Sequence, residues 1–247
     1  MTDAIAFPDG GYRYVPGVFQ YSAGVAAQPG FAIERARFAR HVPLDEGFVR
    51  IEAHLKSIGR PVTAFCACEL RSPAPFTEQG FLDFNRVYTG TLERWNVMRG
   101  GVNPVARSNV CPEIDAPAAP GFFAFSYTVP AAGDGFVIAG SGEAPEGQKD
   151  YRSVTVRLGE TTPAAMLEKA RWVLAEQERR IAVLGASWRE VTHTHVYTVY
   201  DIHPFMGSEL VRRGAAAGGI TWQFCRPPVV GLDYEMDCRG VSREIVI

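Results

Sequence analysis

The residues best suited to chemistry lie near the C-terminus, in segment 224–240. Arg226 precedes a Pro-Pro turn, and Glu235 lies in the predicted strand after that turn. An arginine offers a planar fork of donors for a carboxylate, and a nearby glutamate can orient or deprotonate a water. We therefore expect Arg226 and Glu235 to line one pocket for a small carboxylic acid. Spacing alone also allows a structural ion pair between the two side chains.

Other clusters of potential ligands are less convincing. His193 and His195 share one face of a predicted strand, with His203 nearby, but no acidic partner stands at ligand spacing. Cys66 and Cys68 also share a strand face, without the second pair of a zinc clamp. We interpret these side chains as hydrogen-bonded histidines and buried thiols, and we predict no metal and no other cofactor.

Composition and charge exclude several classes of partner. The formal net charge is −2, with 25 basic and 27 acidic residues, so no electrostatic footprint for nucleic acid or an anionic membrane is present. No apolar run reaches the roughly 18 residues of a spanning helix, and no targeting segment is evident. The five cysteines are an odd number, which favours reduced thiols. Segment 140–143 lacks the following Lys-Ser/Thr of a phosphate loop. We expect a cytoplasmic protein with a small-molecule substrate.

The elements that would position a site occur twice along the chain. Segment 19–30 is similar to segment 136–147, and Arg107 and Arg226 follow the two copies at similar distances. Each copy reads as a strand, small residues, a turn, a second strand and a helix. The duplication predicts two domains, 1–130 and 131–247, each of a common domain size.

Each copy contains a predicted helix that ends at a glycine. The helices cover 43–58 and 163–184, followed by Gly59 and Gly185, where a left-handed cap costs glycine least. Second helices are expected after Pro75-Phe76 and Pro204-Phe205. We expect the charged face of helix 163–184 to be solvated, with Glu168, Lys169, Glu176, Glu178, Arg179 and Arg180.

This pattern predicts an α+β fold. Each copy would be a mainly antiparallel sheet with two helices on one face. The other face of such a sheet stays open, and apolar residues there must be buried by another sheet. We therefore expect one sheet to pack on another, within the chain or between chains.

Several segments in both copies resemble the RidA/YjgF family of enamine/imine deaminases. In the second copy the similarity lies in Arg226 with its turn and Glu-bearing strand, and in segment 182–192 ahead of Val196-Tyr-Thr-Val. In the first copy it lies in Tyr21-Ser-Ala-Gly, Ala64-Phe-Cys-Ala-Cys-Glu-Leu, Phe84-Asn-Arg-Val-Tyr and Ala106-Arg-Ser-Asn-Val. The resemblance implies tandem RidA-like, chorismate mutase-like domains. The whole length and the Cys225-Arg-Pro-Pro-Val segment are also similar to a long-chain branch associated with 2-aminomuconate deamination.

The resemblance implies site residues by position. The family's carboxylate-binding arginine corresponds to Arg226 and, in the first copy, to Arg107. Its water-positioning glutamate corresponds to Glu235, whereas the matching first-copy strand, 122–127, has no acid. Its strand serine corresponds to Ser22, which Ala139 replaces in the second copy. Neither copy has the full set, so the two copies complete one composite site or the first copy serves as scaffold.

The resemblance also implies an activity, namely hydrolysis of a carbon–nitrogen double bond to ammonia and a 2-oxo acid. For 2-aminomuconate a second anion contact is needed, and the candidates are Arg107, Arg71 and Arg239. The family habit implies a homotrimer. Two alternatives stay open: a non-catalytic module that binds small acids or protein partners, and a chorismatase-like hydrolase.

Overall fold

The computed structural model describes residues 3–148 and 150–247. The described strands are, in chain order, β1 (Ile5–Phe7), β2 (Tyr12–Val15), β3 (Gly24–Ala27), β4 (Phe31–Pro43), β5 (Phe65–Arg71), β6 (Ala106–Pro112), β7 (Gly121–Pro130), β8 (Phe136–Gly142), β9 (His193–Tyr197), β10 (Ile220–Gln223), β11 (Cys225–Arg226), β12 (Glu235–Gly240) and β13 (Arg243–Val246). The described α-helices are α1 (Leu44–Ser57), α2 (Glu78–Arg94), α3 (Tyr151–Val154), α4 (Pro163–Val183) and α5 (His203–Phe205). Three short 3-10 turns cover Pro8–Gly10, Val62–Ala64 and Trp188–Glu190.

The ends of the two long predicted helices are confirmed. Helices α1 and α4 end within two residues of Gly59 and Gly185. Both glycines have left-handed backbones, with φ of 70° and 72°, which a residue with a Cβ adopts only with strain. At its start, α4 has Pro163 at the first position, and the Thr162 hydroxyl accepts a hydrogen bond from the amide of Ala165.

The second helix of each copy is confirmed in one half and altered in the other. Helix α2 begins just after Pro75-Phe76, where the Thr77 side chain caps it by accepting from the Gly80 amide. Helix α5 is a single turn that continues into a π-helical turn, Met206–Val211. The second half therefore has one long helix, α4, where the duplication predicts two.

The described strands form two sheets. One has seven strands in the order β1-β2-β3-β8-β12-β9-β10, and the other has six in the order β11-β6-β5-β7-β4-β13. Most neighbouring strands are antiparallel, as predicted. The pairs β5–β6, β9–β10 and β4–β13 are parallel.

Neither sheet is confined to one side of the predicted boundary at 130/131. Strand β3 pairs with β8, so the first three strands join the sheet of the second half. In return, β11 pairs with β6 and β13 pairs with β4. The two halves of the chain therefore exchange edge strands.

The molecule has four layers, in which the two sheets pack on each other and helices cover the outer face of each sheet. Helices α1 and α2 cover the six-stranded sheet, and their Phe48, Ile51 and Tyr88 belong to its core. Helix α4 covers the seven-stranded sheet. Between the sheets lies a third apolar layer that contains Tyr12, Val25, Ile33, Ala67, Ala106 and Ala139. The expected packing of one sheet on another is confirmed, and it occurs within the chain.

The charged face of α4 is not solvated as expected. Lys169 and Arg180 are 0% and 1% exposed, while Glu168 and Arg179 face solvent. The Lys169 ammonium lies 3.2 Å from a Glu143 carboxylate oxygen, and Arg180 donates to Glu146 at 2.8 Å. Both carboxylates come from the segment after β8, which passes beneath the helix, so the buried cations find partners that helical periodicity does not reveal.

None of the helices in the described ranges is both long and apolar enough to cross a membrane.

Candidate active site

Arg107, on β6, is a buried cation without a carboxylate partner among the described residues. Its side chain is 2% exposed, and Nη1 donates to the Asn85 side-chain oxygen at 2.6 Å. Its Nε and Nη2 atoms have no hydrogen-bond partner in the described part of the chain. Four aromatic rings surround the guanidinium within 6 Å: Tyr21, Phe81, Phe84 and Tyr88. An arginine held this way presents two free donors to a planar anion.

Glu235, at the start of β12, is a buried carboxyl that favours its protonated form. Burial raises its pKa well above the ordinary value, and the nearby Asp237 carboxylate raises it further. Arg71 and Arg107 oppose these effects without cancelling them. A protonated carboxyl in a polar cavity is suited to act first as an acid.

Gly140 on β8 makes room for that carboxyl. A Cβ on this residue would collide with Oε1 of Glu235 and would lie 3.3 Å from the Cα of Ser108. The backbone of Gly140 is not left-handed, so the glycine is needed here for space. Gly142 also makes room for a side chain, because a Cβ on it would lie 2.9 Å from Cδ1 of Leu232.

Arg107 and Glu235 line the same narrow cavity of about 40 Å³. The wall residues come from both halves of the chain: Tyr21, Phe81, Arg107 and Asn109 from the first, and Gly140, Gly142, Ala144, Glu146, Tyr151, Pro228, Val229, Leu232 and Glu235 from the second. A wider cavity of about 490 Å³ shares Phe81, Tyr151 and Val229 with it, and its other side chains are the apolar Val18, Phe19 and Leu82 and the polar Gln20, Glu78 and Gln148. The site is therefore a small chamber that shares part of its wall with a larger cavity, the antechamber.

Two further polar groups face the chamber. The Asn109 side-chain amide lacks a partner for its Nδ2 donor, while its oxygen accepts from Ser72 at 3.0 Å. Glu146 is held in place because it accepts from the Tyr21 hydroxyl at 3.0 Å and from Arg180 at 2.8 Å. Asn109 can thus bind a second oxygen of a ligand beside Arg107.

Arg226 does not join Glu235, which corrects the expectation that both line one pocket. It lies on the short edge strand β11 and forms a bidentate ion pair with Glu113, at 2.7 and 3.1 Å. Its side chain is 38% exposed, and it belongs to neither cavity wall. The physical reason is the strand pairing, because β11 runs beside β6 at its solvent-exposed end. The arginine that faces Glu235 is Arg107.

Ser22 supports the site without facing it. The residue is fully buried, its amide donates to the Val105 carbonyl, and its hydroxyl donates to the Pro104 carbonyl at 3.1 Å. These bonds hold the start of β6, two residues before Arg107. Ser22 therefore anchors the arginine's strand, in place of the substrate contact that the resemblance implies.

The other arginines considered for a second carboxylate are occupied. Arg71 donates to the Leu70 carbonyl and to Gln223, each at 2.8 Å, and its guanidinium lies over aromatic rings. Arg239 is paired with Glu69, Asp237 and Glu244. Neither lines the chamber.

The histidines and cysteines have the environments predicted for them. His193 hydrogen-bonds to the Thr221 hydroxyl at 2.8 Å, and His195 lies 3.1 Å from Asp237. Within the described ranges, no group of three or more His, Cys, Asp or Glu side chains is arranged to hold a metal ion. All five cysteines are buried and unpaired.

Asn85, Asn109 and Glu146 were missed as site residues by the sequence analysis. A signal existed for two of them, since Asn85 lies in Phe84-Asn-Arg-Val-Tyr and Asn109 follows Arg107 by two, on the same strand face. Glu146 reaches the site through a turn that no periodicity describes.

Comparisons with known proteins agree on a family. A family model described as 2-aminomuconate deaminase CnbZ matches residues 4–245. A 2-amino-5-chloromuconate deaminase from Comamonas testosteroni is 54% identical over 251 residues, with all of both chains covered.

Solved structures with a similar fold include the YjgF gene product from E. coli and a chorismatase. The first has a TM-score of 0.31 and 15% identity over 44% of this chain and 81% of that chain. The second has a TM-score of 0.47 and 14% identity over 93% of this chain and 80% of that chain. These low scores add nothing to the functional argument.

Proposed function

Since the chain belongs to the 2-aminomuconate deaminase CnbZ family, we propose that it hydrolyses 2-aminomuconate, or a ring-substituted form of it, to ammonia and a 2-oxo acid in the degradation of aromatic compounds. The observation that carries the proposal is one narrow chamber that brings together Arg107, with two donors unpartnered among the described residues, and Glu235, a glutamic acid whose pKa burial raises. The arginine matches the carboxylate of the substrate, and the acid matches the proton transfers that deamination needs.

Arg107 binds the carboxylate next to the amino-bearing carbon through its free Nε and Nη2 donors. Asn109 adds its unpaired Nδ2 donor on the same wall. The surrounding aromatic rings exclude water, which strengthens the charged hydrogen bonds. Bound in this way, the substrate brings its reacting carbon close to the Glu235 carboxyl.

Glu235 acts in four proton transfers. It first protonates the enamine carbon, so that the carbon–carbon double bond is replaced by a protonated imine and Glu235 becomes a carboxylate. The carboxylate then takes a proton from water as the water oxygen attacks the imine carbon, and it returns this proton to the nitrogen. As the carbon–nitrogen bond breaks, the hydroxyl proton passes to the Glu235 carboxylate, which gives the 2-oxo acid and ammonia and restores the acid form of Glu235.

The reaction as proposed uses no metal and no covalent nucleophile, because a protonated imine is already electrophilic. We class the enzyme as a hydrolase that acts on a carbon–nitrogen bond. The distal carboxylate of a six-carbon substrate extends into the antechamber, whose polar side chains are Gln20, Gln148 and one acidic residue, Glu78. Arg107 is the one cation among the described residues that line either cavity.

The assembly and the compartment belong to the same proposal. The RidA/YjgF resemblance supports a homotrimer, which sedimentation equilibrium measures directly. Five buried, unpaired thiols fit a reducing compartment, and we propose a cytoplasmic enzyme.

The test is ammonia release from freshly generated 2-aminomuconate in oxygen-18 labelled water. Wild-type protein should release ammonia faster than the spontaneous rate and introduce one labelled oxygen at the new carbonyl. Glu235→Gln should fall to the spontaneous rate. Binding of the substrate without ammonia release would favour the small-acid binding module, and pyruvate from chorismate would favour the chorismatase-like alternative.

A further inference from the structure

A second acidic residue, Asp237, lies behind Glu235 on the same face of β12. Residues 235, 237 and 239 all face the six-stranded sheet, while Met236 and Cys238 belong to the cores beneath α4. Alternate residues of a strand are about 7 Å apart. Asp237 is 2% exposed and is not part of the chamber wall.

Asp237 is surrounded by donors that hold it as a carboxylate. Its Oδ2 accepts from the Ser108 hydroxyl at 2.5 Å and from the Tyr197 hydroxyl at 2.7 Å. Its Oδ1 lies 3.1 Å from Nδ1 of His195 and 3.4 Å from Arg239. Burial acts to raise its pKa, but His195 and Arg239 hold the pKa below its ordinary value.

The tautomer of His195 follows from the same network. Its Nε2 accepts from Arg239 at 3.0 Å, so the ring proton is on Nδ1, which lies 2.8 Å from the Tyr197 hydroxyl oxygen and 3.1 Å from Oδ1 of Asp237. Burial lowers the pKa of His195, so the neutral ring offers Asp237 a polar contact without a charge, and Arg239, 3.4 Å away, is the cation beside it. A buried, ionised carboxylate therefore persists beside the catalytic acid.

We propose that Asp237 is a positioning residue for the deamination, in that its negative charge, on the same face of β12, adds to burial in favouring the acid form of Glu235 from which the reaction starts. The inference rests on the proposed function, since it assigns a task to Glu235. The inference adds a third residue, buried between the sheets, to the two that line the chamber. His195, Tyr197 and Ser108 hold the Asp237 carboxylate in place.

Of the other charged or titratable groups that face Glu235, some raise its pKa and others lower it. They are Arg71 on β5, Arg107 and Cys111 on β6, Cys225 on β11 and Glu143 after β8. The two thiols are neutral, since burial raises the pKa of Cys111 to about 12 and that of Cys225 to about 11. Glu143 is tied to Lys169, and the two arginines favour the carboxylate form. Among the neighbouring charges, Asp237 has the largest effect on the pKa of Glu235.

The test follows the protonated carboxyl of Glu235 by infrared difference spectroscopy against Glu235→Gln, as a function of pH and without substrate. Asp237→Asn keeps the shape and removes the charge, and we expect the midpoint of the Glu235 titration to fall by about one pH unit. Asp237→Ser, which leaves room for a water, should give the same shift and guards against misfolding of the first variant. The matched control is Glu209→Gln, which neutralises a buried carboxylate outside this network, paired with Arg171 and Arg213. Its midpoint should stay at the wild-type value.

The alkaline limb of kcat/KM for ammonia release should move to lower pH by the same amount in Asp237→Asn. An unshifted Glu235 titration in both Asp237 variants, or an equal shift in Glu209→Gln, would overturn the inference. If wild-type protein released no ammonia, the proposed function would fail, while the spectroscopic titration would still report separately on Asp237 and Glu235.

Discussion

Arg107 and Glu235 both occupy environments that folding alone would not favour. Two donors of Arg107 are buried without partners among residues 3–148 and 150–247, and Glu235 is buried with an ionised neighbour. A buried polar group without a partner costs about 1–3 kcal/mol. Sites that carry such costs are typical of binding and catalysis, where stability is lower than the fold could reach. This cost leads to a measurable consequence for Glu235.

We predict that Glu235→Gln is more stable than wild type, and increasingly so as pH rises. In the unfolded chain the glutamate ionises near pH 4, whereas in the folded protein it keeps its proton to a higher pH. Between these two values the unfolded state loses a proton that the folded state retains, so wild-type stability falls with rising pH. Glutamine has no such titration. Melting temperatures of both proteins from pH 4 to pH 9 check the sign, and a difference that shrinks with pH would contradict the raised pKa.

At the scale of elements, the site depends on three strands meeting: β6 brings Arg107, β12 brings Glu235 and β8 brings the glycine between them. The pairing of β12 with β8 shifts register between Met236 and Cys238, close to this meeting point. The helices α1 and α4 were predictable because their glycine caps act locally. The burial of Lys169 and Arg180 was not, because their partners lie in the loop after β8, far away in sequence.

We predict that Gly140→Ala lowers kcat/KM by about 100-fold while the fold persists, because a displaced catalytic group loses about that much. The new methyl group occupies the space of the Glu235 carboxyl. Gly207→Ala is the matched control, since its Cβ meets no atom within 4 Å and its backbone is not left-handed. Near-wild-type activity of Gly140→Ala, with an unchanged melting temperature, would show that Glu235 is not held against this strand.

At the scale of the whole molecule, the chamber exists because the two halves exchange strands. The repeat in the sequence indicated two similar halves, and the missing acid in the first copy raised the possibility of a composite site. The sequence could not show that β3 pairs with β8 or that β13 pairs with β4, because such long-range pairings leave no periodic signal. The resemblance implied a carboxylate-binding arginine in each copy, Arg107 and Arg226, and in the structure Arg107 of the first half is the one that lines a cavity with Glu235.

We predict that fragments 1–130 and 131–247 are each unfolded or aggregated alone and form an active complex when produced together. Alone, the first fragment has no β8 to pair with β3, and the second has no β4 to pair with β13. Exposed strand edges of this kind promote aggregation. Circular dichroism and gel filtration of each fragment, with ammonia release by the pair, test this. A well-folded isolated half would show that the tandem units are independent domains.

The most direct test of the composite site compares Arg107→Met with Arg226→Met in kcat/KM for ammonia release from 2-aminomuconate. Both changes remove one guanidinium group and keep an unbranched side chain. We predict a loss of about 100-fold or more for Arg107→Met, since a buried charge pair with the substrate is lost. Arg226→Met should stay within about threefold of wild type, because an exposed ion pair with Glu113 contributes little. The reverse pattern, with Arg226 essential and Arg107 dispensable, would contradict the pairing of Arg107 with Glu235 in one site.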